Sequence, residues 1–183
     1  MIMDNFLKTF SQLREHAVQA DYSGVTNPAD GVLYPDITAD IPVEVLEDVQ
    51  SSLDKFMGWQ VGINTIFMRL TSKNTKGAPH QAHTDAIMGD FTLLLYLQDG
   101  PGGTSFVRHK TIGLHSQPAN DAEAEIWRRD TNIPDAWEIT EMVAMKSNRA
   151  NIVPSYKMHR AEPVGGFGEG PEDGRIVLTA FFS

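Results

Sequence analysis

The sequence predicts a mainly β protein, a sandwich or jelly-roll barrel with two N-terminal α-helices packed outside it. Three observations point there. Beyond Gly58 the chain breaks into many short runs rich in Val, Ile, Leu, Phe, Thr and Tyr, separated by turn residues, a pattern of stacked or closed antiparallel sheets. Ahead of Gly58 the apolar residues recur at three- and four-residue steps, the helical period. The chain has 183 residues with neither an internal repeat nor a dividing linker, so residues 1–183 read as one domain that can bury about 70% of its unfolded surface. Residues 1–58 form its helical part and 59–183 its β core.

In order along the chain, Phe6, Leu7, Phe10, Leu13, Ala17 and Val18 give residues 4–20 one apolar stripe, with Asp4 in the N-cap position. A connection rich in Gly, Asn, Pro and Asp covers 21–40. Asp40-Ile41-Pro42 then starts a second helix with proline just inside it. Val45, Leu46, Val49, Leu53 and Phe56 form the apolar face of residues 41–57, and Gly58 ends it. Strands are expected over 59–70, 81–85, 91–98, 104–109, 139–146, 150–154, 158–164 and 175–182. Gly100-Pro101-Gly102-Gly103 makes a strong turn and Ser147-Asn148 a weaker one. Residues 110–138 form an insertion with one short helix, opened by the capping-box spacing of Asn120-Asp121-Ala122-Glu123 and closed by Arg128-Arg129. Residues 165–174 hold five glycines in ten positions. A strand rather than a helix follows them, so they read as a hairpin tip and not a phosphate cradle.

Composition narrows the chemistry. Cysteine is absent, which excludes disulfides, thiolate metal sites and a cysteine nucleophile. The net charge of −9 repels phosphate backbones, and the largest basic cluster is Arg128-Arg129, so nucleic acid is not the expected partner. No apolar run approaches the roughly 20 residues of a membrane span. The start of the chain lacks the features of a secretory signal. A cytoplasmic protein is expected, acting on a small molecule or a peptide.

His83-Thr84-Asp85 is the informative tripeptide. On a strand its imidazole and carboxylate share one face and can grip one ion from one side. A second imidazole from a later strand, supplied by His159, would complete a two-histidine, one-carboxylate triad of the kind that holds non-haem Fe(II). Arg175 and Thr179, four apart on the last strand, share a face, and a guanidinium beside a hydroxyl suits a carboxylate. Of the remaining histidines, His80 is expected in a loop, and His109 and His115 solvated at the ends of the insertion. Trp127 is expected to pack its own lid helix.

The order His-x-Asp, His, Arg resembles the iron(II)/2-oxoglutarate-dependent oxygenases, most closely their prolyl-4-hydroxylase-like branch, over roughly residues 60–183. Asp90–Gln98 after the first metal strand and Gly102-Gly103-Thr104-Ser105-Phe106, similar to the family's Gly-Gly-x-x-x-Phe hairpin, add to the likeness. The resemblance implies a double-stranded β-helix. It implies His83, Asp85 and His159 as iron ligands, Arg175 and Thr179 on the distal carboxylate of 2-oxoglutarate, and Tyr96 beside them, with no catalytic side chain beyond the metal ligands. The implied reaction consumes dioxygen and 2-oxoglutarate, releases succinate and CO2, and hydroxylates a C–H bond. Asp85 favours hydroxylation, because the halogenating members lack this carboxylate. The glycine-rich insert before Arg175 is longer than is common in the family. Insertions 110–138 and 165–174 are expected to flank the open end of the barrel. The alternatives are a cupin-like metal-binding or sensing barrel without turnover, and a structural jelly-roll module.

Overall fold

The computed structural model describes residues 1–26, 33–75 and 81–183. Its elements run β1 (Ile2–Asp4), α1 (Phe10–Gln19), β2 (Val25–Thr26), β3 (Leu33–Tyr34), β4 (Ile37–Thr38), α2 (Val43–Met57), β5 (Ile63–Thr71), β6 (Phe91–Tyr96) and β7 (Gly103–His109). They continue with α3 (Asp121–Asp130), a 3-10 turn (Pro134–Ala136), β8 (Trp137–Ala144), β9 (Arg149–Pro154), β10 (His159–Glu162) and β11 (Arg175–Phe182). The six-stranded sheet has the order β1-β9-β6-β11-β5-β4, and the smaller one β10-β7-β8. Their pairings are antiparallel. β2 and β3 pair with each other. Mainly antiparallel β structure with helices alongside gives a jelly-roll-like fold.

Alternation on the strands assigns the layers. Met68 and Leu70 of β5, Leu93 and Leu95 of β6, Ala150 and Ile152 of β9, and Ile176, Leu178 and Ala180 of β11 meet Leu13, Ala17, Val45, Val49 and Leu53 of the two helices in one core. The residues between them point the other way. Leu94, Tyr96, Val153 and Val177 pack against Phe106 and Val143 of the smaller sheet, so the two sheets face each other across a second core. The outer side of the smaller sheet has its own cover, where Val107, Trp137 and Met158 meet Leu114 and Trp127. Each fully buried Leu, Ile or Phe contributes about 1.5–3 kcal/mol.

Asp4 does not cap a helix. It ends β1, opposite Arg149, and its carboxylate binds the Arg149 guanidinium and the Lys146 ammonium. The first helix therefore starts at Phe10. Asp48 of α2 accepts hydrogen bonds from the Lys8 and Thr9 amides and from the Thr9 hydroxyl, tying the start of α1 to α2. Gly58 ends α2 in the left-handed region, at φ 80°, with its N–H on the Asp54 carbonyl. The other departures are local. Residues 81–85 form no strand but touch β10 through a single bridge at His83, β2 to β4 fall in the 21–40 segment read as a connection, and β1 ends on Asp4, the residue read as the start of the first helix. His109 is buried at 3% exposure rather than solvated, because its Nε2 meets the Asp130 carboxylate at 3.0 Å and its ring stands edge-on to Trp137. His115 is exposed, and His80 lies outside the described residues.

Candidate metal centre

One bridge builds the site. The His83 N–H donates to the His159 carbonyl and the His159 N–H to the His83 carbonyl, both at 2.9 Å. This pairing fixes the loop before β6 onto the first residue of β10. Two residues on, the Asp85 N–H donates to the Ser155 carbonyl at 2.8 Å. One ligand atom from each of His83, Asp85 and His159 lies within 4.8 Å of the others. His83 Nε2 is 3.6 Å from Asp85 Oδ1, and His159 Nε2 is 3.4 Å from Asp85 Oδ2. The ring centroids are 4.5 Å apart.

The outer nitrogens are also engaged. His83 Nδ1 lies 3.0 Å from the Gln81 carbonyl and His159 Nδ1 2.9 Å from the Lys157 carbonyl. A carbonyl can only accept, so each Nδ1 carries hydrogen and each Nε2 faces the cluster, where the neutral ring has a lone pair to give. Asp85 Oδ2 accepts from the Thr92 hydroxyl at 3.0 Å, and Ser155 Oγ lies 3.0 Å beyond. Burial, helped by the neighbouring imidazole of His159, pushes His83 down to about 4. Burial opposes charge on His159 as well, but the Asp85 carboxylate outweighs it and the pKa is raised. Asp85 is held below its ordinary range, because His159, His83 and Thr92 outweigh its desolvation. Two imidazoles and a carboxylate aimed at one point suit a divalent cation of intermediate softness.

Arg175 opens β11 and is 5% exposed. Its Nη2 donates to the Gly103 carbonyl at a long 3.4 Å, its Nε has no partner, and its guanidinium carbon lies 5.7 Å from the Tyr96 ring centroid. Thr179 is buried on the same face of the strand. Tyr96 is fully buried, and its hydroxyl donates to Thr104 Oγ1 at 2.8 Å. Asn151, which the sequence reading missed, belongs with them. It pairs with Leu94, which pairs with Thr179, and neither its amide nitrogen nor its oxygen has a hydrogen-bond partner. The signal was a lone amide inside the apolar run of β9. Buried polar atoms without partners are costly, and a carboxylate between Arg175 and Asn151 would accept from the Arg175 Nε and the Asn151 amide nitrogen.

The insertions divide between the two ends. Trp127 Nε1 and Thr131 Oγ1 of the 110–138 segment both donate to the Ala82 carbonyl, beside His83. The 165–174 segment does not join them. Its Phe167 packs against the Leu94–Tyr96 core, and the Gly168 carbonyl accepts the Lys73 N–H, next to the Arg175 end of β11. The cause is the connection: the segment joins the Glu162 end of β10, away from His159, to the Arg175 start of β11, and there it packs closely enough that an added Cβ on Gly166 would collide with the Ser72 carbonyl.

Residues 1–182 match the model of a family described as a family of unknown function, DUF6445. No curated protein matches the chain. Among solved structures, the non-heme alpha-ketoglutarate-dependent epimerase SnoN from nogalamycin biosynthesis aligns over 100% of this chain and 76% of its own, at 14% identity and TM-score 0.57. HygX from Streptomyces hygroscopicus, with iron bound, aligns over 100% and 81%, at 14% identity and TM-score 0.57. EctD from S. alaskensis, with 2-oxoglutarate and 5-hydroxyectoine, aligns over 100% and 71%, at 11% identity and TM-score 0.54. The fold is the one these proteins share.

Proposed function

The chain belongs to the family of unknown function DUF6445, and we propose that it is an Fe(II)- and 2-oxoglutarate-dependent dioxygenase that hydroxylates a C–H bond. The observation that carries this reading is the convergence of His83 Nε2, an Asp85 oxygen and His159 Nε2 within 4.8 Å in a barrel that also buries an under-satisfied arginine. When bound, iron supplies the activation of dioxygen that no side chain can perform, coupled to oxidative decarboxylation of 2-oxoglutarate to succinate and CO2.

The chain's own residues orient and hold. His83, Asp85 and His159 would hold the ion, and a three-residue set of this kind would leave room on it for the cosubstrate and dioxygen. The Nδ1 hydrogen bonds to the Gln81 and Lys157 carbonyls lock both rings, and Thr92 holds the carboxylate. Arg175 and Thr179 receive the distal carboxylate of 2-oxoglutarate over the Tyr96 ring, with Asn151 alongside. Arg175's fork can bind both oxygens of a carboxylate. A barrel that only held metal would have no use for that charge. The Gly102–Phe106 hairpin and the Arg175–Thr179 spacing support a place near the prolyl-4-hydroxylase-like branch.

The test is turnover of 2-oxoglutarate by the purified chain with Fe(II) in air. Succinate should form slowly without substrate and not at all when iron is withheld. No succinate under any metal condition, with the protein folded, would leave the cupin-like binding barrel as the better reading.

A further inference from the structure

Arg175 is not alone on the inner wall. Arg69 alternates along β5 with Met68 and Leu70, whose side chains belong to the helix-facing core, so Arg69 points between the sheets. It pairs with Val177, which pairs with Tyr96; Arg175 pairs with Thr71, one inward-facing position further along the strands. Arg69 is partly buried. Its guanidinium carbon lies 5.9 Å from the Phe67 ring centroid, and among the described residues it forms no hydrogen bond and no ion pair. Asp85 and Asp36 act on it only at longer range, and burial pulls its pKa below the usual arginine range.

On the reading above, no carboxylate of the site is left to fill the Arg69 fork. The cosubstrate's two carboxylates are already assigned, one to the metal and the other to Arg175. A partly buried guanidinium with no hydrogen bond or ion pair among the described residues is a ready site for a further carboxylate, whose two oxygens match its fork. We propose that Arg69 anchors a carboxylate of the molecule that is oxidised, so that the substrate is a small organic acid. This rests on the dioxygenase reading and narrows its substrate class.

The experiment uses the full chain loaded anaerobically with Fe(II) and 2-oxoglutarate. Formation of this complex is followed by its visible charge-transfer band, separately from substrate. A panel of small hydroxy, amino and alkyl carboxylic acids, each paired with its primary amide, is then titrated by calorimetry. At least one acid should bind about ten- to a hundred-fold more tightly than its amide, the range of a hydrogen-bonded charge. Arg69→Gln should remove that preference and leave the 2-oxoglutarate midpoint unchanged; Arg69→Lys should recover part of it. A panel in which no acid is favoured over its amide overturns the proposal. So does an Arg69→Gln protein that loses 2-oxoglutarate as Arg175→Ala does, which would assign Arg69 to the cosubstrate. A wild-type complex with no charge-transfer band would count against the dioxygenase reading itself and is seen before any acid is added.

Discussion

Replacing Arg175 by methionine should make the metal-free protein more stable and the loaded protein unable to hold its cosubstrate. Arg175 is 5% exposed, donates a long hydrogen bond of 3.4 Å to the Gly103 carbonyl, and leaves Nε unpaired. A buried ion loses several kcal/mol of hydration. The Tyr96 ring, 5.7 Å away, returns about 0.5–2 kcal/mol. Methionine fills a similar volume without the charge, so the net gain should be roughly 1–3 kcal/mol, a rise of about 3–10 °C in Tm. Against this, removing the partner of a buried carboxylate costs about 3–5 kcal/mol, a few hundred- to several thousand-fold in 2-oxoglutarate affinity. Thermal unfolding of the metal-free protein measures the first effect, and anaerobic titration of the Fe(II) protein the second. Arg175→Lys should fall between, with charge but no fork. A less stable Arg175→Met protein that still binds 2-oxoglutarate normally would refute the reasoning on both counts.

Two further outcomes follow from other parts of the molecule. A divalent cation at a hundred times its Kd should stabilise the wild type by about 2.7 kcal/mol, near 5–10 °C in Tm, and Asp85→Ala should lose that shift; an unchanged shift would remove Asp85 from the ligand set. At Asp48, burial raises the pKa, but the hydrogen bonds from Thr9, Lys8 and Ser52 outweigh it and hold the carboxyl below the ordinary 3.8. A depressed carboxyl stabilises the fold above its unfolded pKa and loses that contribution as pH falls through the folded value. Asp48→Asn should therefore flatten the fall in stability below pH 3.8, as read by urea unfolding across that range.

What could be read in advance was what depends on near neighbours. His83, Thr84 and Asp85 announce themselves because two ligand types sit two residues apart, and Gly58 because a helix pattern stops at it. What failed depended on distant partners. Asp4 looks like an N-cap until Arg149, on a strand 145 residues later, takes its carboxylate. His109 looks solvated until Asp130, 21 residues on, covers it. Asn151 escaped notice because both faces of β9 are covered, so polarity does not reveal which side it faces, and Arg69 because an arginine on a half-buried strand reads as solvent-facing until the second sheet is in place. The 165–174 segment was placed at the wrong end because glycine content marks a turn without saying what it packs against.

The reciprocal hydrogen bonds between the main chains of His83 and His159 imply that the spacing of the two donors belongs to the backbone rather than to the ion. Folding then bears the entropic cost of bringing them together, and a metal arriving later meets a ready-made chelate. It follows that each imidazole is a replaceable part. Cutting either side chain back to alanine leaves the bridge standing and opens a ring-sized hole beside an intact carboxylate, a slot for free imidazole from solution.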